Sequence, residues 1–362
     1  MRVKTLSINN LRNIQSAQIA ADPCLNCFTG DNGAGKTSIL EALAVLSKGR
    51  SFRTGHISSL IGPQDKHFQV IVAVESQSGD THQLGLERGM DYWQARHQGQ
   101  DVKQISELTH LLPFVLLEPS SHTLISGPPN GRRKYLDWGV FHVKPGYLRL
   151  WRRYNRVLKQ RNAALRQANE AVVDSLDPQL IELGEQLHLS RQHYVETLVG
   201  LLQVQLPVIS GALAGIALSY RKGWSGDSLK QAIVTSRRRD FEKGATNPGP
   251  HKADLHLSLD GAAAKERLSR GEQKAMTAAL VLAQANTMCA NGEKPVLMLD
   301  DLFSEFDKKH VERVLDAALE LQVQVWLTGT RVPSAVKQCN GSCTMFHVEH
   351  GRVCLLYTSP SP

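Results

Sequence analysis

The run Gly30-Asp31-Asn32-Gly33-Ala34-Gly35-Lys36-Thr37 sets glycines, an ammonium and a hydroxyl at the spacing that a polyphosphate requires. Side chains would keep a triphosphate away from the backbone. The glycines therefore leave room for a nest of inward N–H groups at a helix N-terminus. In such a loop Lys36 reaches the β- and γ-phosphates, and the Thr37 hydroxyl ligates Mg²⁺. Residues Gly30, Asp31, Asn32, Gly33, Ala34, Gly35, Lys36, Thr37 and Ser38 are the expected ATP contacts. The apolar run 25–28 before the loop reads as a strand and the apolar-periodic run 39–46 after it as a helix. An ordinary flexible glycine turn would not explain why Lys-Thr opens that helix.

Two distant stretches extend this chemistry. The apolar run 295–299 ends in Asp300-Asp301, and a P-loop protein places at the end of such a strand the carboxylate that holds Mg²⁺, usually through water. Asp301 is then placed to orient or deprotonate an attacking water. Lys36 and Asp301 are thus the candidate catalytic residues, and Thr37 and Asp300 the candidate metal ligands. The second stretch, Leu268-Ser269-Arg270-Gly271-Glu272-Gln273, precedes a helical pattern over 275–288. A Ser hydroxyl, a Gly N–H and a helix N-terminus make a further anion site. Taken alone, the same string is a capping box with Ser269 as N-cap and Glu272 at N3. Lying between the glycine loop and the Asp-Asp strand, it instead suggests that Ser269, Arg270, Gly271, Glu272 and Gln273 face the γ-phosphate of a second subunit's ATP. ATP would then close a homodimer and hydrolysis would open it.

The elements that must position these residues read as an α/β (α+β) head. Residues 1–8 and 16–20 alternate as a strand pair with Arg12 in its turn, and 67–75, 82–88 and 91–97 form an antiparallel meander. The loop Gly49-Arg50-Ser51-Phe52-Arg53 follows the P-loop helix, and 112–117 is a buried strand. From Gly127 the pattern turns helical. Over 144–173, Leu148, Trp151, Leu158 and Leu165 fall on one face, and Arg149, Arg152, Arg156 and Lys159 on another. Asp177-Pro178 reads as the start of a second long helix ending at Pro207. The expected organisation is a head formed by 1–130 and 216–354, an inserted helical lobe at 131–215, and a tail at 355–362, unstructured beyond Leu356 and expected to be a foreign or truncated end.

Charge placement matters more than its total of +8. Residues 132–166 hold eleven Lys/Arg against one acid, Asp137, so the rest of the chain sums to about −2. Arg132, Arg133, Lys134, Arg149, Arg152 and Arg156 read either as a solvated cationic face or, if the chain handles nucleic acid, as contacts to DNA phosphates, which position a duplex without reading its sequence. No apolar run is long enough for a bilayer and no signal-peptide core is present, so a cytoplasmic protein without membrane partners is expected. Six cysteines suit a reducing compartment. Cys24 and Cys27 sit on the P-loop strand; Cys339, Cys343, His347 and His350 have zinc-like spacing, but 344–348 alternates as a strand, which argues against a metal.

In order, a Walker A loop, a helical insertion, LSRGEQ, LMLDD and SEFD resemble the ABC-type ATPase heads of the SMC-like class, with an antiparallel β subdomain and an inserted helical lobe. The strings FTGDNGAGKTSILEAL, GRSFRT, GPPNGRRKYLDWGVFH, LKQRNAALRQ, GPHKADL and LSRGEQK resemble the RecF family of bacterial recombinational-repair proteins, out to about Arg352. That resemblance implies a weak ATPase that dimerises on ATP, binds duplex DNA near single-strand gaps and works with RecO and RecR to load RecA. The chain departs from common ABC heads by having Asp301 in place of Glu, Glu118-Pro119 where a Mg²⁺-sensing glutamine is usual, and Thr328-Gly329-Thr330 where a histidine is usual. An ABC transporter subunit is the alternative, disfavoured because about 60 residues separate the long helices from Leu268. A nuclease or topoisomerase-like effector would need a further acidic domain, for which no room remains.

Overall fold

The computed structural model of the chain describes residues 1–63, 65–331 and 342–359; Cys339 of the zinc-like spacing lies outside them. Alternating burial of Val3, Leu6, Ile8 and Leu11 makes β1 (Arg2–Leu11), which turns at Arg12 into β2 (Ile14–Ala20). The wholly buried β3 (Leu25–Thr29) launches the P-loop, and α1 (Lys36–Lys48) follows. Then come β4 (His67–Glu75), β5 (Thr81–Gly89), β6 (Trp93–His97), β7 (Gln100–Asp101), α2 (Ile105–Leu111) and the buried β8 (Phe114–Leu117).

The helical stretch comprises α3 (Thr123–Ser126), α4 (Pro129–Val143), α5 (Tyr147–Arg166) and α6 (Glu170–Ile209). It departs from the sequence reading at three points. First, α4 is an additional helix and carries Arg132, Arg133 and Lys134. Second, α6 does not start at Asp177-Pro178. Asn169 Oδ1 accepts the Val172 N–H at 3.1 Å and Asn169 O that of Val173 at 3.2 Å, so Asn169 caps the helix; Pro178 and Pro207 lie inside it. Third, the core stripe of α5 is Tyr147, Tyr154, Leu158, Arg161 and Leu165, whereas Trp151 is 37% exposed.

After β9 (Ile216–Arg221), α7 (Leu229–Lys243), β10 (Asp254–Leu259), β11 (Ala262–Ala263) and α8 (Ala264–Arg267) comes α9 (Arg270–Ala290). The buried β12 (Val296–Leu299), α10 (Leu302–Glu305), α11 (Lys308–Glu320), buried β13 (Val325–Gly329), β14 (Cys343–Glu349) and β15 (Arg352–Ser359) complete the described chain. The expected unstructured tail is corrected: Tyr357 pairs with Met345 and Ser359 with Cys343.

The chain divides into two compact units. Unit 1 holds 1–121, 208–210 and 274–362; unit 2 holds 122–207 and 211–273. The sequence reading put 216–273 with the head, but among the described residues β9 and β10 pair only with one another and β11, in a sheet of order β11-β10-β9. Unit 1 contains an antiparallel sheet of order β2-β1-β4-β5-β6-β7 and a second sheet of order β15-β14-β3-β13-β12-β8, parallel except for β15. Gln324 joins them, accepting from Val3 N at 2.8 Å and donating to Val3 O at 2.8 Å and Asp22 O at 2.7 Å.

Candidate nucleotide site and basic face

Parallel strands point their C-terminal ends the same way, so β3, β12 and β13 deliver the P-loop, Asp300 and Thr328 to one sheet edge. Phe28 stacks between Trp326 and Phe346, at centroid distances of 5.3 and 4.8 Å, locking β3 between its neighbours. The loop leaving β3 is held just as closely. At Gly30 (φ 152°) an added Cβ would lie 2.1 Å from Val348 O, so only glycine fits there. Ala34 O accepts the Gly351 N–H at 2.8 Å, so the β14–β15 turn braces the loop.

Lys36 is buried and donates to Gly30 O at 2.7 Å and Asp31 O at 2.8 Å. Burial draws its ammonium below the ordinary lysine range, against the opposing pull of Asp301, Asp300 and Asp31. Thr37 Oγ1 donates to Asp300 Oδ1 at 2.9 Å, and Thr328 Oγ1 donates to the same oxygen at 2.6 Å. Burial pushes the Asp300 carboxyl up, and the bonds from Thr328 and Thr37 hold it down. Thr328 Oγ1 also accepts the Asp301 N–H at 2.9 Å, so one hydroxyl fixes both acids. Asp301 has a left-handed backbone (φ 51°); its Oδ2 accepts from Ser304 Oγ at 2.6 Å, and its buried Oδ1 has no hydrogen-bond partner among the described residues.

Lys36, Thr37 and Asp301 border a cleft of about 630 Å³ whose walls also include Asn32, Gly33 and Ser38. The structure thus brings the P-loop, Asp300 and Asp301 together, as their spacing predicted. It adds partners that the sequence reading missed. Asn13, in the β1–β2 turn, donates to Gly33 O at 3.0 Å, and Arg12 pairs with the fully buried Glu41 through Nε (2.8 Å) and Nη2 (2.7 Å). Glu41 also accepts from Ser51, and Arg12 Nη1 from its other side donates to Ser59 O at 2.8 Å. Nothing in the local sequence around Asn13 or Arg12 announces these roles; they arise from the chain's return past α1. At the next strand end, Glu118 follows β8 in register with Asp300, and burial raises its carboxyl.

The second anion stretch lies in unit 2. Ser269 caps α9 and the capping box is formed: Glu272 N donates to Ser269 Oγ at 3.3 Å, and Glu272 Oε2 accepts from Ser269 N at 2.8 Å. Ser269, Arg270 and Gly271 are nevertheless exposed, Glu272 and Gln273 half-buried, and Gln273 Nε2 donates back to Leu268 O at 3.0 Å.

The basic residues divide by environment. Arg132 forks onto Asp254 at 2.7 and 3.0 Å and donates to Gly127 O, while Arg133 donates to Ala253 O at 2.9 Å. Lys134, Arg149, Arg152 and Arg156 are exposed. Arg161, counted in the basic excess, is fully buried against Asp177 (2.6 Å) and Asp240 (2.8 Å).

With that geometry in hand, known proteins give a consistent picture. The RecF/RecN/SMC N-terminal domain family matches residues 2–353. A DNA replication and repair protein RecF from Xanthomonas axonopodis pv. citri (strain 306) is 42% identical over 361 residues, covering 98% of each chain. The chain belongs to the RecF family. RecF of Thioalkalivibrio sulfidiphilus (strain HL-EbGR7) is 37% identical over 358 residues, 97% of this chain and 98% of the relative. The solved structure of the recombination mediator protein RecF-ATP in the RecFOR pathway aligns with a TM-score of 0.87 at 25% identity, over 98% of both chains. An Smc head domain from Pyrococcus furiosus shares the fold, with a TM-score of 0.61 at 15% identity. RecF membership sets the transporter alternative aside. The RecF family is an ABC-type ATP-binding family. No helix among the described residues is long and apolar enough to cross a membrane.

Proposed function

We propose that this chain is an ATP-switched DNA replication and repair protein whose two copies close on nucleotide. The observation that carries the reading is the Thr37–Asp300–Thr328 chain of hydrogen bonds beside the P-loop cleft, with Asp301 Oδ1 next to it lacking a partner among the described residues. Thr37, Asp300 and Asp301 offer only hard oxygen donors, which suit Mg²⁺, and the metal-side ligands would be Thr37 and Asp300. When bound, Mg²⁺ neutralises charge on the β- and γ-phosphates. Lys36 leaves its two carbonyl partners for the phosphates, the loop's N–H groups orient them, and Asp301 Oδ1 accepts a proton from, or aligns, the attacking water. A shorter Asp in place of Glu supports slow turnover.

The exposed Ser269–Gly271 turn at the start of α9 is the proposed contact to the partner copy's γ-phosphate, releasing its internal capping bonds on closure. Lys134, Arg149, Arg152 and Arg156 form the proposed DNA-phosphate face, with gapped duplex as the ligand, and RecR and RecO as partners in loading RecA. Sedimentation with and without ATP, Mg²⁺ and gapped duplex tests the switch: dimers are expected only with nucleotide. Ser269→Arg should abolish those dimers while monomers still bind ATP; normal dimers of that variant sink the trans contact.

A further inference from the structure

Glu41 is a fully buried acid on α1, on the helix face of Thr37 and Ser38. Its carboxylate accepts from two other segments: Arg12 Nε at 2.8 Å and Nη2 at 2.7 Å in the β1–β2 turn, and Ser51 Oγ in the loop after α1. Each partner passes the hold onward. Ser51 Oγ accepts the N–H groups of Arg53 at 2.9 Å and Thr54 at 3.1 Å. Arg12 Nη1 donates to Ser59 O and Arg12 N to Leu60 O, both at 2.8 Å. One carboxylate thus ties the P-loop helix to the segments that supply Arg12, Arg53, Ser59, Ile61 and Pro63 to the cleft wall. Burying a carboxylate is costly unless its partners are held in good geometry, and here the partners are the wall itself. The bonds to Glu41 and Ser59 use three N–H groups of the Arg12 guanidinium, and its remaining ones have no partner among the described residues. Arg12 lies between two unlike parts of the cleft. On one side Asn13 grips the phosphate loop at Gly33 O; on the other, Ile61 and Pro63 are apolar, as a base requires. Lys36 serves the β- and γ-phosphates, so Arg12 stands where the phosphate chain passes to the nucleoside.

We propose that Glu41 is a positioning residue for nucleotide binding: it fixes the Arg12 guanidinium so that its spare N–H groups meet the α-phosphate, which ATP and ADP share. This rests on the reading of the cleft as the ATP site. The test uses the full chain and fluorescent analogues of ATP and ADP, titrated well below the melting temperature of each variant. Arg12→Gln and Glu41→Gln should each weaken both nucleotides about tenfold, the worth of a charge-assisted hydrogen bond. Because Glu41 acts through Arg12, the double variant should bind no worse than Arg12→Gln alone. Arg12→Lys, which keeps the charge and loses the two-pronged grip on Glu41, should not restore affinity; it carries the test if Glu41→Gln does not fold. A purely structural Glu41 would lower the melting temperature and leave the affinity of the folded chain as it was, which overturns the proposal. So do losses that multiply in the double variant, parent-like binding by Arg12→Lys, and weakened ATP with ADP spared, which would put Arg12 at the γ-phosphate. A parent chain that binds neither nucleotide removes the ATP reading and this proposal together. If the parent binds, Lys36→Ala does not, and Arg12→Gln and Glu41→Gln bind as the parent does, only the positioning role falls.

Discussion

The sheet edge that carries the P-loop and the helices that carry the basic excess place charge in opposite ways. At the sheet edge, Lys36, Asp300 and Asp301 are each fixed by short bonds to neighbours, and Lys36 and Asp301 still border a cleft. Among the helices, residues of one type split: Arg161 and Arg191 are buried struts, while Arg149 and Arg156 are exposed. Chemistry that needs a particular spacing fixes where a residue goes. Charge density does not, because a guanidinium serves equally as a core strut or a surface contact.

Breaking a strut should produce the largest effect. Arg161→Leu leaves Asp240, itself fully buried, without its ion pair, and should cost about 3–5 kcal/mol in chemical denaturation. Adding Asp240→Asn should recover part of that loss. A cost below about 1 kcal/mol would put Arg161 with the surface arginines after all.

The same core sets a pH dependence. His251 Nδ1 faces the Tyr154 hydroxyl at 2.7 Å and Nε2 faces Thr246 O at 3.0 Å, a pair that a neutral ring satisfies fully. Burial draws this imidazole down to about 4. The unfolded chain therefore binds the extra proton between the ordinary value of 6.5 and about 4, so stability falls as pH drops through that window and is flat above it. Thermal melts should show a loss of at most about 3 kcal/mol across it, absent in His251→Gln.

How far each region could be read from the chain follows the same division. The P-loop, the Asp-Asp strand and the alternating β4–β6 meander were legible, because each carries a fixed period or a fixed chemical requirement. The helices were misjudged where a local signal had a tertiary use. Asp177 looked like a cap before Pro178, yet its carboxylate holds Arg161 and Arg237, and the true cap is Asn169. No helix was assigned to Arg132-Arg133-Lys134 behind Pro128-Pro129, but Pro129 opens α4 at a position where a proline's missing N–H costs nothing. At the site, Asn13 and Thr328 were illegible as clamps because their partners lie 20 and 28 residues away or more in sequence.

Asn13 sharpens the contrast from the other side. It holds the P-loop segment by donating to Gly33 O at 3.0 Å and accepting, at a long 3.5 Å, from Ser38 Oγ. Asn13→Ala should weaken binding of a fluorescent ATP analogue by about fivefold, the worth of one hydrogen bond, with the melting curve nearly unchanged. An unaltered affinity would mean that the glycines and the β14–β15 brace hold the loop without it.

The smallest stability effect should come from Arg156→Leu, on the same helix as Arg161 but exposed. Its cost should stay within about 0.5 kcal/mol in the denaturation assay that registers Arg161→Leu. Its effect on DNA should be clear nonetheless: one phosphate contact fewer lowers the slope of log affinity against log salt by about one. The two substitutions remove the same guanidinium five positions apart, so composition and helix propensity are matched and only location differs. If Arg156→Leu left the salt slope intact, the exposed arc of α5 would be a solvated cationic surface, and the phosphate face would have to be sought among the remaining exposed cations of unit 2.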